Sequence, residues 1–462
     1  MSMESKLELL KNQHADARNS KAYGWLSKLF DDGTFFELDP LAKSGESAVE
    51  VLTGYGSVDG CPLYVFSQNT ETDGGAMSRA QAAKIKKLYK MAVETGSPVV
   101  GFFDSNGAKL GEAHQMMDSY GEILALANNL SGVVPQIAVV TGACQGTAAL
   151  IAASADLVIM AEDATLQLST AGTGGTAAEA AKDGLSALTV KNSDEAVNAV
   201  RKLIVLLPSN NLATADFSEF DESAATVVAL QQAAEAVAAG QPAADSLLSA
   251  VADSGSVVEL LAEYGKAAIT ALVKIGGTTA GMVVTDGAVL CADSSVKVAR
   301  FVRFCDAFSL PVVTFVNTEG IASLKQASML THAYAEATTP KISIVTGTAI
   351  GAAFIALAGR ATGSDLTMAW PTAVISALTP EAAVSVLWTD KLQKMSDPLN
   401  DRKKLVEEYK ETQASPAVAA AGGFIEDIID PALTRAKLIT ALDMLSGKRV
   451  TRLPKKHSNI QL

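Results

Sequence analysis

One pattern is written twice in this chain. Ile137–Met160 reads IAVVTGACQGTAALIAASADLVIM, and Ile342–Ala358 reads ISIVTGTAIGAAFIALA. Thr141-Gly142 matches Thr346-Gly347, and Gly146 matches Gly351, at one register. Each copy opens on an apolar run rich in β-branched residues, which predicts a buried strand. In the first copy the small residues Gly142–Gly146 predict a tight turn, and the Ala-rich run Thr147–Ala155 predicts a helix. Small side chains let another group approach the backbone closely. The N–H groups of a helix start face that group, with the positive end of the helix dipole behind them. Such a joint suits a developing oxyanion. Strand–glycine–helix joints are common in α/β proteins, so the repetition, rather than the joint itself, marks these two.

The rest of the chain repeats in the same order. Asp31–Leu38, DDGTFFEL, returns as Asp253–Leu260, DSGSVVEL. Gly54–Gln68 predicts a hairpin with Asp59-Gly60 at its turn, and Lys274–Thr285 echoes it. Met77–Thr95 predicts a helix with Lys84, Lys86, Lys87 and Lys90 on its exposed side, and Ser294–Phe308 is its counterpart. Pro98–Gly107, PVVGFFDSNG, returns as Pro311–Gly320, PVVTFVNTEG. The offset falls from 222 residues (Gly33 to Gly255) through 213 (Pro98 to Pro311) to 205 (Gly146 to Gly351). A long, ordered, slowly shrinking offset indicates an internal duplication, with a period far too long for a solenoid. The expected fold is therefore α/β, in two tandem domains over 24–211 and 245–462, with 212–244 as connector. Each half begins with antiparallel strands and continues with alternating strands and helices, which predicts mixed sheets flanked by helices.

Composition narrows the chemistry. A chain of 462 residues suits two domains with full cores. A formal net charge of −13 argues against a nucleic-acid surface, so an anionic ligand needs local basic residues and N–H groups. Cys61, Cys144, Cys291 and Cys305 form no CxxC pair, which argues against zinc and against a disulfide framework. The polar, charged N-terminal residues, read as an amphipathic helix, do not resemble a signal peptide. Ile137–Ala161 has the length of a membrane span, but Gln145 and Asp156 favour a soluble core, and the cytoplasm is the expected compartment.

Specific stretches then carry a resemblance: VARFVRFCDA at Val298–Ala307, AYAEATTP at Ala333–Pro340, AWPT at Ala369–Thr372, EDIIDPALTR at Glu426–Arg435 and KKHSNIQL at Lys455–Leu462. GYGSVDG at Gly54–Gly60, Gly121-Glu122-Ile123 and LPSNN at Leu207–Asn211 add to it. Over almost its whole length the chain resembles the carboxyltransferase subunits of biotin-dependent acyl-CoA carboxylases and decarboxylases. The resemblance implies a double crotonase-type (ClpP/crotonase) fold, with the acyl-CoA at the first domain and biotin at the second. It implies transfer of a carboxyl group between carboxybiotin and an acyl-CoA such as propionyl-CoA or methylmalonyl-CoA, with no nucleophile and no metal in this chain. Biotin would arrive on a carrier protein, with a biotin carboxylase or a membrane decarboxylase subunit as further partner. The chain would form a homo-oligomer, a hexamer, in which the first half of one copy meets the second half of another.

By motif match, the resemblance puts one oxyanion hole at the N–H groups of Gly146 and Thr147 and the other at those of Ala352 and Ala353. Substrate-binding candidates are Lys109, Gly107, Gly142, Gly351 and Ile355, with Arg79, Lys84 and Lys87 as further cations for the CoA phosphates. Departures from the family pattern are Thr147 and Ala352 where glycine is usual, Lys109 for arginine in SNGAKL at Ser105–Leu110, and a shorter, proline-free loop NTEGIASL at Asn317–Leu324. Three alternatives accompany this reading: the decarboxylating subunit of a sodium pump, a non-catalytic paralogue, and a biotin-independent crotonase-type enzyme. His332 is read as a packing or capping residue, His114 as surface, and Cys144 is not read as a nucleophile, because no histidine pairs with it in sequence.

Overall fold

A computed structural model of the chain describes residues 3–5, 7, 18–44, 49–169, 174–220, 224–393 and 398–456. The amphipathic helix expected at the start falls largely outside the described residues, and so do 457–462 with His457. The chain divides into two units, Met1–Asp216 and Phe217–Leu462. The segment 212–244, read as a connector, straddles this division. Its helix Ala224–Ala238 places Leu230 and Ala233 in the core of the second unit.

Each unit is built on an eight-stranded sheet. In the first unit the strands are β1 (Phe36–Leu38), β2 (Val51–Val58), β3 (Cys61–Gln68), β4 (Val99–Ser105), β5 (Gln136–Gln145), β6 (Leu157–Ala161), β7 (Thr165–Gln167) and β8 (Leu188–Val190). They run in the order β1-β2-β3-β4-β5-β6-β8, with β7 paired to the far end of β5. The second unit repeats this with β9 (Val258–Leu260), β10 (Ala268–Ile275), β11 (Thr278–Thr285), β12 (Val312–Thr318), β13 (Lys341–Ile350), β14 (Leu366–Ala369), β15 (Val374–Ser376) and β16 (Asp427–Ile428). Their order is β9-β10-β11-β12-β13-β14-β16, with β15 on β13. The opening strands are antiparallel and the later ones parallel, as the alternation of elements predicts. The expected mixed α/β fold in two duplicated halves is the observed one.

Apolar side chains from the central strands and covering helices form a separate core in each unit. Phe66, Phe103, Val140 and Leu88 belong to the first, and Val273, Phe315, Ile344 and Trp370 to the second. Glycine sets the helix–sheet distance in places: a Cβ on Gly281 would stand 2.4 Å from the Cys305 sulfur on the helix Ala292–Ala307. Among the described residues no helix is long and apolar enough to cross a membrane. The span-length run 137–161 is a strand, a short helix and another strand.

Polar devices repeat along with the strands. Both hairpins turn on two residues with positive φ, Asp59 (47°) and Gly60 (82°), then Gly276 (56°) and Gly277 (78°), the twist that suits a two-residue hairpin. In the first, the N–H groups of Asp59 and Gly60 donate to Asp31, each at 3.0 Å, and Arg201 ties Asp31 to the Leu29 carbonyl. In the second, Gly276 and Gly277 donate to Asp253, and Arg435 ties Asp253 to the Val251 carbonyl. Gln136 donates to the Ala127 carbonyl at 2.9 Å, and Lys341, its counterpart, to the Tyr334 carbonyl at 2.9 Å, so each caps the end of the preceding helix.

One expectation about the helix Arg79–Thr95 is corrected. Lys84 does not lie on the exposed side; it is 3% exposed, and its ammonium donates to the Val51 carbonyl at 2.7 Å. Burial pulls its pKa down to about 8. Lys297, 213 residues on, is 1% exposed and is likewise pulled down to about 8 by burial, against the attraction of Glu259. A long aliphatic stem buries well when its head finds an acceptor, and lysines on neighbouring helix positions hide that distinction in the sequence.

The Asp31 anchor carries a pH prediction. The N–H groups of Gly60 and Asp59 hold its carboxyl down at about 2, against about 4 in an unfolded chain. A lowered carboxylate stabilises the fold above the unfolded value and stops doing so as pH falls through the folded one. Asp31→Asn is therefore expected to lower the urea midpoint at pH 7, with the deficit shrinking as pH falls from about 4 towards 2.

Candidate active site

The two repeated stretches form strand-to-helix joints, but the strands overrun the expected turn. Gly142–Gln145 belongs to β5, because Ala143, Cys144 and Gln145 pair with Thr165, Leu166 and Gln167 of β7. Thr348, Ala349 and Ile350 pair with Val374, Ile375 and Ser376 of β15 in the same way. Reversal happens at one residue in each unit: Gly146 (φ 65°, ψ −142°) and Gly351 (φ 50°, ψ −117°). A positive φ is what glycine provides there. The helices Thr147–Ala153 and Ala352–Ala358 begin at once.

This geometry corrects one donor. The Gly146 N–H is not directed to a ligand; it donates to the Gln167 carbonyl at 3.0 Å, as the Gly351 N–H donates to Ser376 at 2.8 Å. The next N–H groups, of Thr147 and Ala148 in the first unit and Ala352 and Ala353 in the second, open the helices and have no acceptor within them. Thr147 is half-buried, Ala352 exposed, and Ala148 and Ala353 buried. A side chain at Thr147 or Ala352 is compatible with the joint, since each is the first helical residue.

The remaining candidates are placed as follows. Gly142 lies in the strand with the Asp104 carboxylate where its Cβ would be, 2.4 Å from Oδ1. Gly107 (φ 100°) makes the turn after β4; its carbonyl accepts the Met77 N–H at 2.7 Å. Ile355 is 53% exposed one turn into its helix, and Leu150, at the matching place in the first unit, is 42% exposed. His332 bonds Arg303 at 3.1 Å and Glu336 at 3.2 Å, in keeping with a packing role. Cys144 is fully buried, and burial, with the Asp104 charge, pushes its thiol up to about 12. Among the described residues no group of three or more His, Cys, Asp or Glu is placed to hold a metal ion.

Lys109, the candidate cation for the CoA phosphates, is ion-paired within the first unit. Its ammonium lies 2.8 Å from Asp73 and 3.3 Å from Glu50, whose side chain is 1% exposed. The same loop is laced to 74–77: Asn106 donates to Gly74 at 3.1 Å and Lys109 to Met77 at 2.9 Å. In the second unit Ala322 donates to Leu290 at 2.9 Å, so the shortened loop keeps the lacing without the lysine. Lys87 pairs with Asp39 at 2.9 Å, and the Arg79 backbone N–H donates to Glu112 at 2.7 Å. Sequence reasoning missed Asp104 and its counterpart Asn317, although the echo of DSNG in NTEG aligns them.

Lys109 holds a buried carboxylate, which gives a test of its placement. Lys109→Met leaves Glu50 without its cation and is expected to lower stability by about 2 kcal/mol, less than for a fully buried pair because water screens the half-exposed lysine. A double-mutant cycle with Glu50→Gln in urea should recover part of that loss.

The chain matches the model of the carboxyl transferase domain over residues 25–460. It is 31% identical to the methylmalonyl-CoA decarboxylase subunit alpha of Propionigenium modestum, over 99% of this chain and 96% of that one. It is 32% identical to the propionyl-CoA carboxylase, carboxyltransferase subunit, of Haloferax mediterranei, over 94% of this chain and 91% of that one. Among solved structures, the transcarboxylase 12S hexamer, with methylmalonyl-coenzyme A and methylmalonic acid bound, superposes with a TM-score of 0.91 at 29% identity, covering 100% of this chain and 99% of that one. With the family model matched over residues 25–460 and relatives 31% and 32% identical along nearly the whole chain, this chain belongs to the carboxyl transferase family.

Proposed function

We propose that this chain is the carboxyltransferase subunit in which a carboxyl group passes between the biotin of a carrier chain and an acyl-CoA of the propionyl-CoA or methylmalonyl-CoA kind. The observation that carries the reading is the doubled joint: two strands, each ending in a positive-φ glycine, each delivering a pair of helix-start N–H groups. Carboxyl transfer between two carbonyl-bearing partners needs one such pocket for each.

In this reading Thr147 and Ala148 receive the thioester oxygen and Ala352 and Ala353 the ureido oxygen of biotin. The second joint fits a neutral ureido group: it offers donors, and the side chain standing beside its strand is the amide Asn317. Biotin supplies, when bound, a nitrogen that carries the carboxyl group. What this chain adds is position and charge stabilisation. N–H groups at the first joint stabilise the negative charge that gathers on the thioester oxygen as the α-carbon gives up its proton. Exposed Ile355 would border the acyl group. Gly146 and Gly351 act through conformation, and Lys109 holds the loop beside the first joint through Glu50 and Asp73. The partners are a biotin carrier with a biotin carboxylase or a membrane decarboxylase subunit, and further copies of this chain in a hexamer. A cytoplasmic setting agrees with the free thiols of Cys61, Cys144, Cys291 and Cys305.

Proline at the first helical position removes an N–H and leaves the helix intact. Thr147→Pro is therefore expected to lower carboxyl transfer on the order of 100-fold, as for loss of one oxyanion donor, with circular dichroism and the hexamer unchanged. Full turnover in a correctly assembled Thr147→Pro variant would refute the first pocket. A stable monomer by light scattering would refute the assembly.

A further inference from the structure

The strands that carry the two joints are bulged at the same place. Between β4 and β5 the register runs from Phe103↔Val140 to Ser105↔Cys144, so Thr141, Gly142 and Ala143 stand opposite the single residue Asp104. Between β12 and β13 it runs from Val316↔Val345 to Thr318↔Ala349, so Thr346, Gly347 and Thr348 stand opposite Asn317. Extra residues in a bulge leave backbone groups without ladder partners. Here the opposing side chain takes them: the Ala143 N–H donates to Asp104, and the Thr348 N–H donates to Asn317 Oδ1 at 2.9 Å. The bulge glycine makes room, since a Cβ would fall 2.4 Å from Asp104 Oδ1 at Gly142 and 2.3 Å from Asn317 Oδ1 at Gly347. Each threonine ties its bulge to the facing carbonyl, Thr141 to Phe103 at 3.4 Å and Thr346 to Val316 at 3.3 Å.

We infer that Asp104 and Asn317 are positioning residues, each latching the bulge that aims the helix-start N–H groups of its own unit, and so each setting the affinity of one half-site. This rests on the proposed division of the joints between acyl-CoA and biotin. The two latches differ in chemistry. Burial holds the Asp104 carboxyl up at about 6, with Lys21 and the Ala143 N–H pulling it down and Asp163 pushing it up. Cys144 faces it as a neutral thiol, and the Gln68 amide oxygen accepts its backbone N–H at 3.1 Å. The amide of Asn317 does not titrate. An ionised acceptor binds an N–H more strongly than a neutral one, so the first latch tightens as pH rises through about 6. The raised carboxyl also makes the folded chain bind a proton that the unfolded chain releases between about pH 4 and 6, so its presence lowers stability as pH rises through that window.

Calorimetry with propionyl-CoA and with free biotin, on the full-length assembled protein at pH 5.5 and 7.5, tests this. Asp104→Ala should weaken propionyl-CoA on the order of 10-fold at the higher pH, the loss of one hydrogen bond to a charged acceptor, and leave biotin binding nearly unchanged. Asn317→Ala should do the converse. Asp104→Asn should recover most of the propionyl-CoA affinity and flatten its pH dependence. Variants that weaken both ligands alike, or neither, overturn the latch. Amide hydrogen exchange at Ala143 and Thr348 gives a readout without ligand. Faster exchange at Ala143 in Asp104→Ala and at Thr348 in Asn317→Ala supports the latch even if propionyl-CoA fails to bind, which would instead refute the proposed function; unchanged exchange at both amides refutes the latch.

Discussion

Backbone hydrogen bonding at the bulged strands governs this structure. β5 and β13 carry on past the end of the main sheet, and their last residues pair with the short strands β7 and β15. That extra pairing takes up the N–H groups of Gly146 and Gly351. It leaves the following N–H groups as the first without an internal acceptor, and it aims them by fixing the strand that precedes them. The glycine reversal, the short helix and the covering loop all follow from where that strand stops. A change that shifted the strand by one residue would exchange the paired N–H groups for the unpaired ones.

Charge is arranged with similar economy. The net charge is −13, yet cations near the first joint are compensated by carboxylates: Lys109 by Glu50 and Asp73, Lys87 by Asp39. Lys84 and Lys297 are buried. Lys109 and Lys84 tie loops and strands of the first unit together, and in the proposed function carbonyl recognition falls to backbone N–H groups. The two units share this arrangement down to the hairpin anchors Asp31–Arg201 and Asp253–Arg435.

Much of the fold is legible in the residues. The hairpin at Asp59-Gly60, the strands at PVVGFF and PVVTFV and the order of the duplication follow from turn chemistry and β-branched runs. Gly142–Gly146 misleads because small residues favour turns, whereas pairing with β7 holds them in a strand; tertiary contacts override local propensity. The donor assigned to Gly146 fails for that reason. Lys84 misleads because the half-buried Lys86 and the exposed Lys87 and Lys90 follow it in sequence, and its acceptor, the Val51 carbonyl, comes from a distant strand. Asp104 and Asn317 align in the echo of DSNG in NTEG, but the bulges they face come from strand register, which that echo does not carry.

In the proposed function the helix-start N–H groups of the first unit hold a thioester oxygen. Isotope-edited infrared difference spectroscopy of propionyl-CoA labelled with 13C at the thioester carbonyl reads that contact directly. Donation from two N–H groups polarises the carbonyl, so its stretching band should move to lower wavenumber when the ligand binds. A bound thioester whose band stays at its position in water, or moves to higher wavenumber, would rule out that contact.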